Sequence, residues 1–318
     1  MGVRKTVFGS NEEKKYYRKL QKTWGQKLNI YHNIPFLNVF TARDELIDEN
    51  GRIFKITEEE YDKLKKTSID FVICDKKDKP IACVEFDGLL QGFNVGTNYI
   101  ISEEKVDRKG RRDFLELKLR VAHGSSFPYF ILGSEQFKGL SGSVYLTIAD
   151  ALIGEVLSTQ ELIRAINLGF NPTDCGYSEE EFDQLDHFQK RTIIEDWFLN
   201  VEIEADYKNN PVFQEVAKLM TETKSSGFSI IFLNENERDS EIWTWVECKV
   251  RNHIYGDASA KVYLPNFNTP SCHFSAHIAI EVAKLLALSQ IKERKNANKR
   301  VHLTAIPLHP SGLRHVGK

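Results

Sequence analysis

Residues 68–88 read SIDFVICDKKDKPIACVEFDG, and this stretch decides the fold. Ile69–Cys74 and Ile81–Phe86 are rich in β-branched and aromatic residues, and Asp75–Pro80 between them has turn composition. The pattern predicts an antiparallel hairpin. With Cys74 set opposite Ile81, Val72 faces Cys83 and Asp70 faces Glu85. Side chains alternate along a strand, so Asp87 joins Asp70 and Glu85 on one face. The other face carries Phe71, Ile73, Ala82, Val84 and Phe86, all apolar core candidates.

Directly opposed residues in such a pair have Cβ atoms about 5 Å apart, where like charges repel. Carboxylates are seldom buried without a partner, so this cluster calls for a basic side chain or a divalent metal. Mg²⁺ prefers carboxylate oxygen and keeps several waters, which suits phosphate-ester chemistry. The plain alternative is an exposed polar sheet edge, and the apolar flanks argue against it.

The length of 318 residues allows one large domain or two, and a net charge of −2 does not mark a nucleic-acid binder. The charge is unevenly spread. Residues 174–206 hold eleven acidic side chains against Lys190 and Arg191, whereas residues 292–318 hold seven Lys/Arg against one Glu. The five cysteines are scattered, with no CxxC pair, which predicts neither disulfides nor zinc and points to a reducing cytoplasm. No apolar run reaches membrane-spanning length, and MGVRKTVFGSNEEKK lacks the core of a signal peptide. No glycine-rich phosphate loop or G-x-S-x-G elbow is present.

Asn11–Lys27 reads as a first helix, capped by Ser10 or Asn11, with Tyr16, Tyr17, Leu20 and Trp24 as its apolar stripe. A short charged helix is predicted near Glu58–Lys65, and a long loop over 89–107. Arg108–Ala122 forms another helix, on whose wheel Lys118 falls amid Phe114, Leu117, Val121 and Ala122. A lysine there needs a carboxylate such as Asp70, Glu85 or Asp87, or else its ammonium escapes at the helix end. Phe127–Leu132 follows as a short buried strand.

This order of helix, D…ExD hairpin, helix and strand resembles the restriction-endonuclease-like PD-(D/E)XK superfamily over about residues 10–133. It is most similar to a branch of uncharacterised bacterial domains written DFVxCD…P…xExD, with an RD-containing helix. The parts here are Glu13, Asp70, Glu85-Phe86-Asp87, Arg112-Asp113 and Pro128–Leu132. The resemblance implies a Mg²⁺- or Mn²⁺-dependent nuclease, in bacterial defence or DNA processing. Asp70 and Glu85 would be metal ligands, with Asp87, the Phe86 carbonyl and Glu13 as further ligands. Asp87 stands where the superfamily usually has lysine, the histidine expected after ExD is absent from GLLQGFNVGTNY, and Glu116 replaces an expected helix lysine. Lys118 is placed to restore the missing charge, which makes Asp70, Glu85, Asp87 and Lys118 the expected catalytic set. The same departures leave open a degenerate nuclease fold that binds nucleic acid or a partner protein.

In the second half, helical or mixed structure is predicted around Leu146–Ile153 and Ser158–Leu168, then a helix over Phe182–Asn200. The acidic run reads as a solvated face that repels phosphates. Asn210-Pro211-Val212 opens a helix to Lys224, followed by strands at Phe228–Leu233, Ile242–Arg251 and Ala258–Leu264 and a helix over Ser275–Ile291. The αβββα order is similar to the double-stranded-RNA-binding domain. CHFSAH at residues 272–277, however, holds no lysine for phosphates, so docking or dimerisation is the expected role. Glu247-Cys248-Lys249 is a strand ExK with no acidic residue on the strand before it, which makes a second nuclease site a poor reading. His253, His273 and His277 lack diagnostic metal spacing and read as surface or cap residues.

The expectation is therefore a mixed α+β protein of class α/β. Residues 1–138 form a nuclease-like domain, 139–209 an acidic helical connection, 210–291 an αβββα domain and 292–318 a basic flexible tail. Nucleic acid is the expected partner, DNA ahead of RNA, with a protein partner or second copy docking through the C-terminal domain and no membrane.

Overall fold

A computed structural model describes residues 8–41, 46–47, 53–87, 93–94, 98–99, 108–133, 140, 146–233, 243–265 and 272–297. The fold is mixed α+β. Helix α1 (Asn11–Trp24) opens with a capping box in which Ser10 and Glu13 each accept from the other's backbone amide. Its Tyr16, Leu20 and Trp24 are buried, as the stripe predicts. Strand β1 (Asn29–Pro35), which the sequence pattern does not predict, pairs antiparallel with β4 (Ser68–Cys74). β4 pairs antiparallel with β5 (Pro80–Asp87), and β5 pairs parallel with β8 (Tyr129–Gly133), giving the sheet order β1-β4-β5-β8. Two-stranded ribbons are formed by β2 (Leu46–Ile47) with β3 (Ile53–Phe54) and by β6 (Phe93–Asn94) with β7 (Asn98–Tyr99). Helix α2 (Glu58–Leu64) precedes β4, and α3 (Arg108–Gly124) precedes β8.

The hairpin register is the expected one at Val72–Cys83, but a bulge between Ile73 and Cys74 moves Cys74 opposite Pro80 instead of Ile81. The turn explains the slip. The Asp75 carboxylate accepts the amides of Lys77 and Lys79 at 2.8 and 2.9 Å, and Asp78 takes φ 63°, which fixes a tight loop independent of ladder phase.

Both faces of this sheet are covered. Phe71, Ile73, Ala82, Val84 and Phe86 join α1's stripe in one apolar cluster, while Val72, Cys74 and Cys83 pack with Leu115, Leu117, Val121 and Ala122 of α3. The carboxylate-bearing face is therefore the one that α3 covers.

Helix α4 (Ile148–Leu168) is a single helix across both predicted segments, and its first half is core: Ile148 to Val156 is buried throughout. Trp24 Nε1 donates to the Asp150 carboxylate at 2.9 Å, tying α1 to the start of α4. The predicted helix over Phe182–Asn200 is two: α5 (Glu179–Asp183) and α6 (His187–Asn209), the latter capped by Asp186 with Gln189. Much of α5 and α6 is exposed, but Ala205 and Asp206 are buried.

Helix α7 (Pro211–Thr223), capped by Asn210, leads into strands β9 (Phe228–Phe232), β10 (Trp243–Val250) and β11 (Ala258–Pro265), antiparallel in the order β11-β10-β9. Helix α8 (Cys272–Ala297) packs on β10, β11 and α7 and runs beyond the predicted end at Ile291. The αβββα order is thus present. β9 is an edge strand with Ile231 and Phe232 exposed. One apolar cluster continues from Tyr16 to Ile291, with α4 packed on β5 of the first sheet and on α7 and α8, the latter of which packs on the second sheet. No helix among the described residues is long and apolar enough to cross a membrane. Most of the loop predicted over 89–107 and the tail from 298 lie outside the described residues.

Candidate active site

Three residues of the expected set come together where β4, β5 and α3 meet. Lys118, 1% exposed, donates from Nζ to Glu85 Oε1 at 2.5 Å and to the Ser68 carbonyl at 2.8 Å. Its ammonium also lies 5.1 Å from the centre of the Phe114 ring. It does not escape at the helix end; it is the counter-charge of the carboxylate face. Glu85 is buried, and its other oxygen accepts the Tyr129 hydroxyl at 2.8 Å. Asp70 is half-buried, and its Oδ2 accepts the Phe86 amide at 2.8 Å.

Asp70 is under electrostatic stress. Burial, then the neighbouring Glu85 charge, push its carboxyl up to about 7, against the pull of the Phe86 amide; Glu13 adds to the push and Lys118 opposes it. Burial and the Glu85 charge likewise hold the Tyr129 phenol well above its ordinary range, so it stays a donor.

Glu13 stands apart. Its Oε2 accepts the amides of Gly9 and Ser10 at 2.6 and 3.2 Å, and its Oε1 pairs with His32 Nε2 on β1. Glu13 reaches Asp70 through its field, while its oxygens serve the α1 cap and His32. Asp87 closes β5 opposite Gly133, with its side chain outside the described residues, as are those of Arg111 and Arg112.

Tyr129 and His32 are site residues that the sequence pattern does not single out. Tyr129 had a signal: a phenol within the apolar run FPYFIL must find a hydrogen-bond partner. His32 sits on a strand that was not predicted. A third such feature is α1's outer face, where Lys14, Lys15, Arg18, Lys19 and Lys22 fall within a 140° arc opposite the buried stripe.

The donor set of Asp70, Glu85 and the Phe86 carbonyl is oxygen only. Glu85 accepts one hydrogen bond on each oxygen, and a carboxylate has about four acceptor positions, so it retains capacity for an ion. With the free acceptor capacity of Glu85 beside the Asp70 carboxylate, the residues present fit a hard divalent cation.

A sequence family described as "Protein of unknown function (DUF2726)" matches residues 4–114. That segment holds Glu13, Asp70 and Glu85 and ends before Lys118 and Tyr129. No curated protein matches the chain, and no solved structure matches it.

Proposed function

We propose that the Asp70–Glu85–Lys118 site belongs to a metal-dependent nuclease that hydrolyses nucleic-acid phosphodiester bonds, DNA ahead of RNA. The observation that supports this best is the convergence itself: two carboxylates on adjacent strands and a buried lysine from the covering helix, Lys118 bonded to Glu85 and both charges acting on Asp70. Asp70 and Glu85 would hold Mg²⁺ or Mn²⁺, with the Phe86 carbonyl as a third oxygen donor. When bound, such an ion lowers the pKa of water and stabilises the attacking and leaving oxygens of a phosphodiester.

The chain's own residues supply position. Lys118 is fixed by Ser68 and Glu85, so its charge sits beside the carboxylates where a strand lysine is missing. Tyr129 fixes the rotamer of Glu85 from behind. Glu13 and His32 lock the start of α1 against β1, which presents the cationic face of α1 to solvent on the same unit. That face is suited to hold a phosphate backbone.

A second reading is a degenerate nuclease fold that binds nucleic acid or a partner protein. It draws support from Asp87 in the lysine position and from Lys118 already spending its charge on Glu85. Incubation with plasmid DNA, single-stranded DNA and RNA, under Mg²⁺, Mn²⁺ or EDTA, separates the two. The nuclease reading expects metal-dependent cleavage that Asp70→Ala and Glu85→Ala abolish. Retained binding without cleavage would transfer the assignment to the binding module.

A further inference from the structure

We propose that Asp206 and His277, with Glu155 as the outer partner of the ring and Glu281 one turn away, form a second, independent metal site for a divalent transition ion such as Zn²⁺ or Mn²⁺, where α4, α6 and α8 meet. The residues arrive from three helices. Glu155 follows the point where Gly154 lets α4 approach the α6–α7 junction: a Cβ there would stand 2.8 Å from the Asn210 Cα. Asp206 lies in the last turn of α6, and His277 in the second turn of α8. One ligand atom from each of Glu155, Asp206 and His277 can be chosen so that all lie within 4.8 Å of one another.

The two ring nitrogens of His277 have different company. Nδ1 is 3.0 Å from both Glu155 oxygens, a hydrogen bond that fixes the ring and its tautomer. Nε2 is 3.7 Å from Asp206 Oδ2, too far for a hydrogen bond. Metal–nitrogen and metal–oxygen bonds of about 2.0–2.2 Å set neighbouring tetrahedral ligand atoms about 3.4 Å apart, close to this spacing. A carboxylate on the far ring nitrogen is the usual outer partner of a metal-bound histidine. Glu155 has that place, which leaves Asp206 and the His277 Nε2 as the inner ligands.

Glu281 supplies an independent observation. It lies one turn beyond His277 and is 2% exposed. Its Oε1 accepts from Lys284 at 2.6 Å, but its Oε2 is buried with no hydrogen-bond partner. Its charge is the weakest of the named influences on His277 and Asp206, and it is not one of the three residues whose ligand atoms lie within 4.8 Å of one another, so it stands beside the cluster. A buried carboxylate oxygen left bare costs free energy that a cation would remove.

Charge and access agree with this. Three carboxylates outnumber Lys284 and His277, whose ring, against its burial, they hold up to about 9, so a bound ion would take the place of the imidazole's proton. The His277 side chain is 30% exposed, so an ion can enter and water can complete its shell. An imidazole beside carboxylates favours Zn²⁺, Mn²⁺ or Fe²⁺ over Mg²⁺, unlike the oxygen-only site on the sheet. The ion would clamp α4 and α6 to α8, and so fasten the bridging helices to the C-terminal sheet.

The test uses the full chain carrying Asp70→Asn, Glu85→Gln and Lys118→Met, so that the sheet site cannot report and no buried charge is left unpaired there. Titration calorimetry with Zn²⁺ and with Mn²⁺ should find one ion per chain, together with a rise in Tm over EDTA. Both should disappear in His277→Gln and in Asp206→Asn. Co²⁺ added to the otherwise unaltered chain should give absorption bands of a nitrogen-containing site that His277→Gln removes. Binding that survives both substitutions would overturn the proposal. So would the absence of stoichiometric Zn²⁺ or Mn²⁺ binding, which would make the cluster an ion-pair clamp.

Discussion

Lys118 on α3 and Glu85 on β5 form a 2.5 Å ion pair with side chains 2% and 11% exposed, so neither charge has water as an alternative partner. Removing one member of a buried pair leaves the other uncompensated, at about 3–5 kcal/mol. Lys118→Met should therefore destabilise the protein by that order in urea unfolding. Lys118→Met with Glu85→Gln should recover much of the loss, because the remaining amide can still accept from Tyr129. If the two losses simply added, the pair would not be coupled as its geometry states.

Asp70 should make the protein less stable as pH rises. Its carboxyl titrates near 7 in the fold and at the usual value near 3.8 in the unfolded chain. Between those values the folded state holds the extra proton, so stability falls with rising pH across this window and stays reduced above it. Asp70→Asn should raise Tm at pH 8 and flatten the profile from pH 4 to 7. Solvent at the half-buried carboxylate limits the gain to about 1–2 kcal/mol. On the nuclease reading, Mg²⁺ should raise Tm most above pH 7 and have no effect on Asp70→Asn. A Tm profile that rises from pH 4 to 7 through Asp70 would contradict its environment.

The parts legible in the sequence are those set by local chemistry. Alternation in Ile69–Phe86 gives the two faces of the hairpin, and the helix wheel alone singles out Lys118 as a charge that needs a partner. β1 was hidden because an edge strand buried on one face can carry polar residues: Tyr31 is exposed, His32 is tied to Glu13, and Asn33 takes φ 58°. The break between α5 and α6 was hidden because its cap, Asp186, stands inside an acidic run. Glu155, Asp206 and His277 belong to three helices far apart in sequence, and no spacing rule can bring them together. His277, read from the sequence as a surface or cap histidine, is half-buried against two carboxylates instead.

Gly154 tests the packing that joins the two sheets. A methyl there would meet the Asn210 Cα at 2.8 Å and the Asn210 side chain at 3.0 Å, and backbone cannot rotate aside as a side chain can. Asn210 also caps α7, its Oδ1 accepting the amides of Val212 and Phe213 at 3.0 and 3.3 Å. Gly154→Ala improves helix propensity by up to about 1 kcal/mol. It should nonetheless lower stability by about 1–3 kcal/mol, because overpacking outweighs that gain. Thermal unfolding decides it: an unchanged or higher Tm would mean the helices can separate at little cost.

The cationic face of α1 yields a prediction that does not depend on the carboxylates. Lys15, Arg18 and Lys22 are exposed on one side of the helix, while Tyr16, Leu20 and Trp24 are buried on the other. Changing all three cations to Gln removes charge without touching the core or the Glu13 cap. If α1 tracks a phosphate backbone, affinity should fall about equally for unrelated sequences. The dependence of log K on log salt should flatten by about 0.9 for each duplex phosphate that the helix no longer neutralises. Cleavage at saturating substrate should change little, since none of these side chains belongs to the Asp70–Glu85–Lys118 cluster. A triple variant that binds with the original affinity and salt slope would move the nucleic-acid surface off α1, leaving the carboxylate site to be approached from another side.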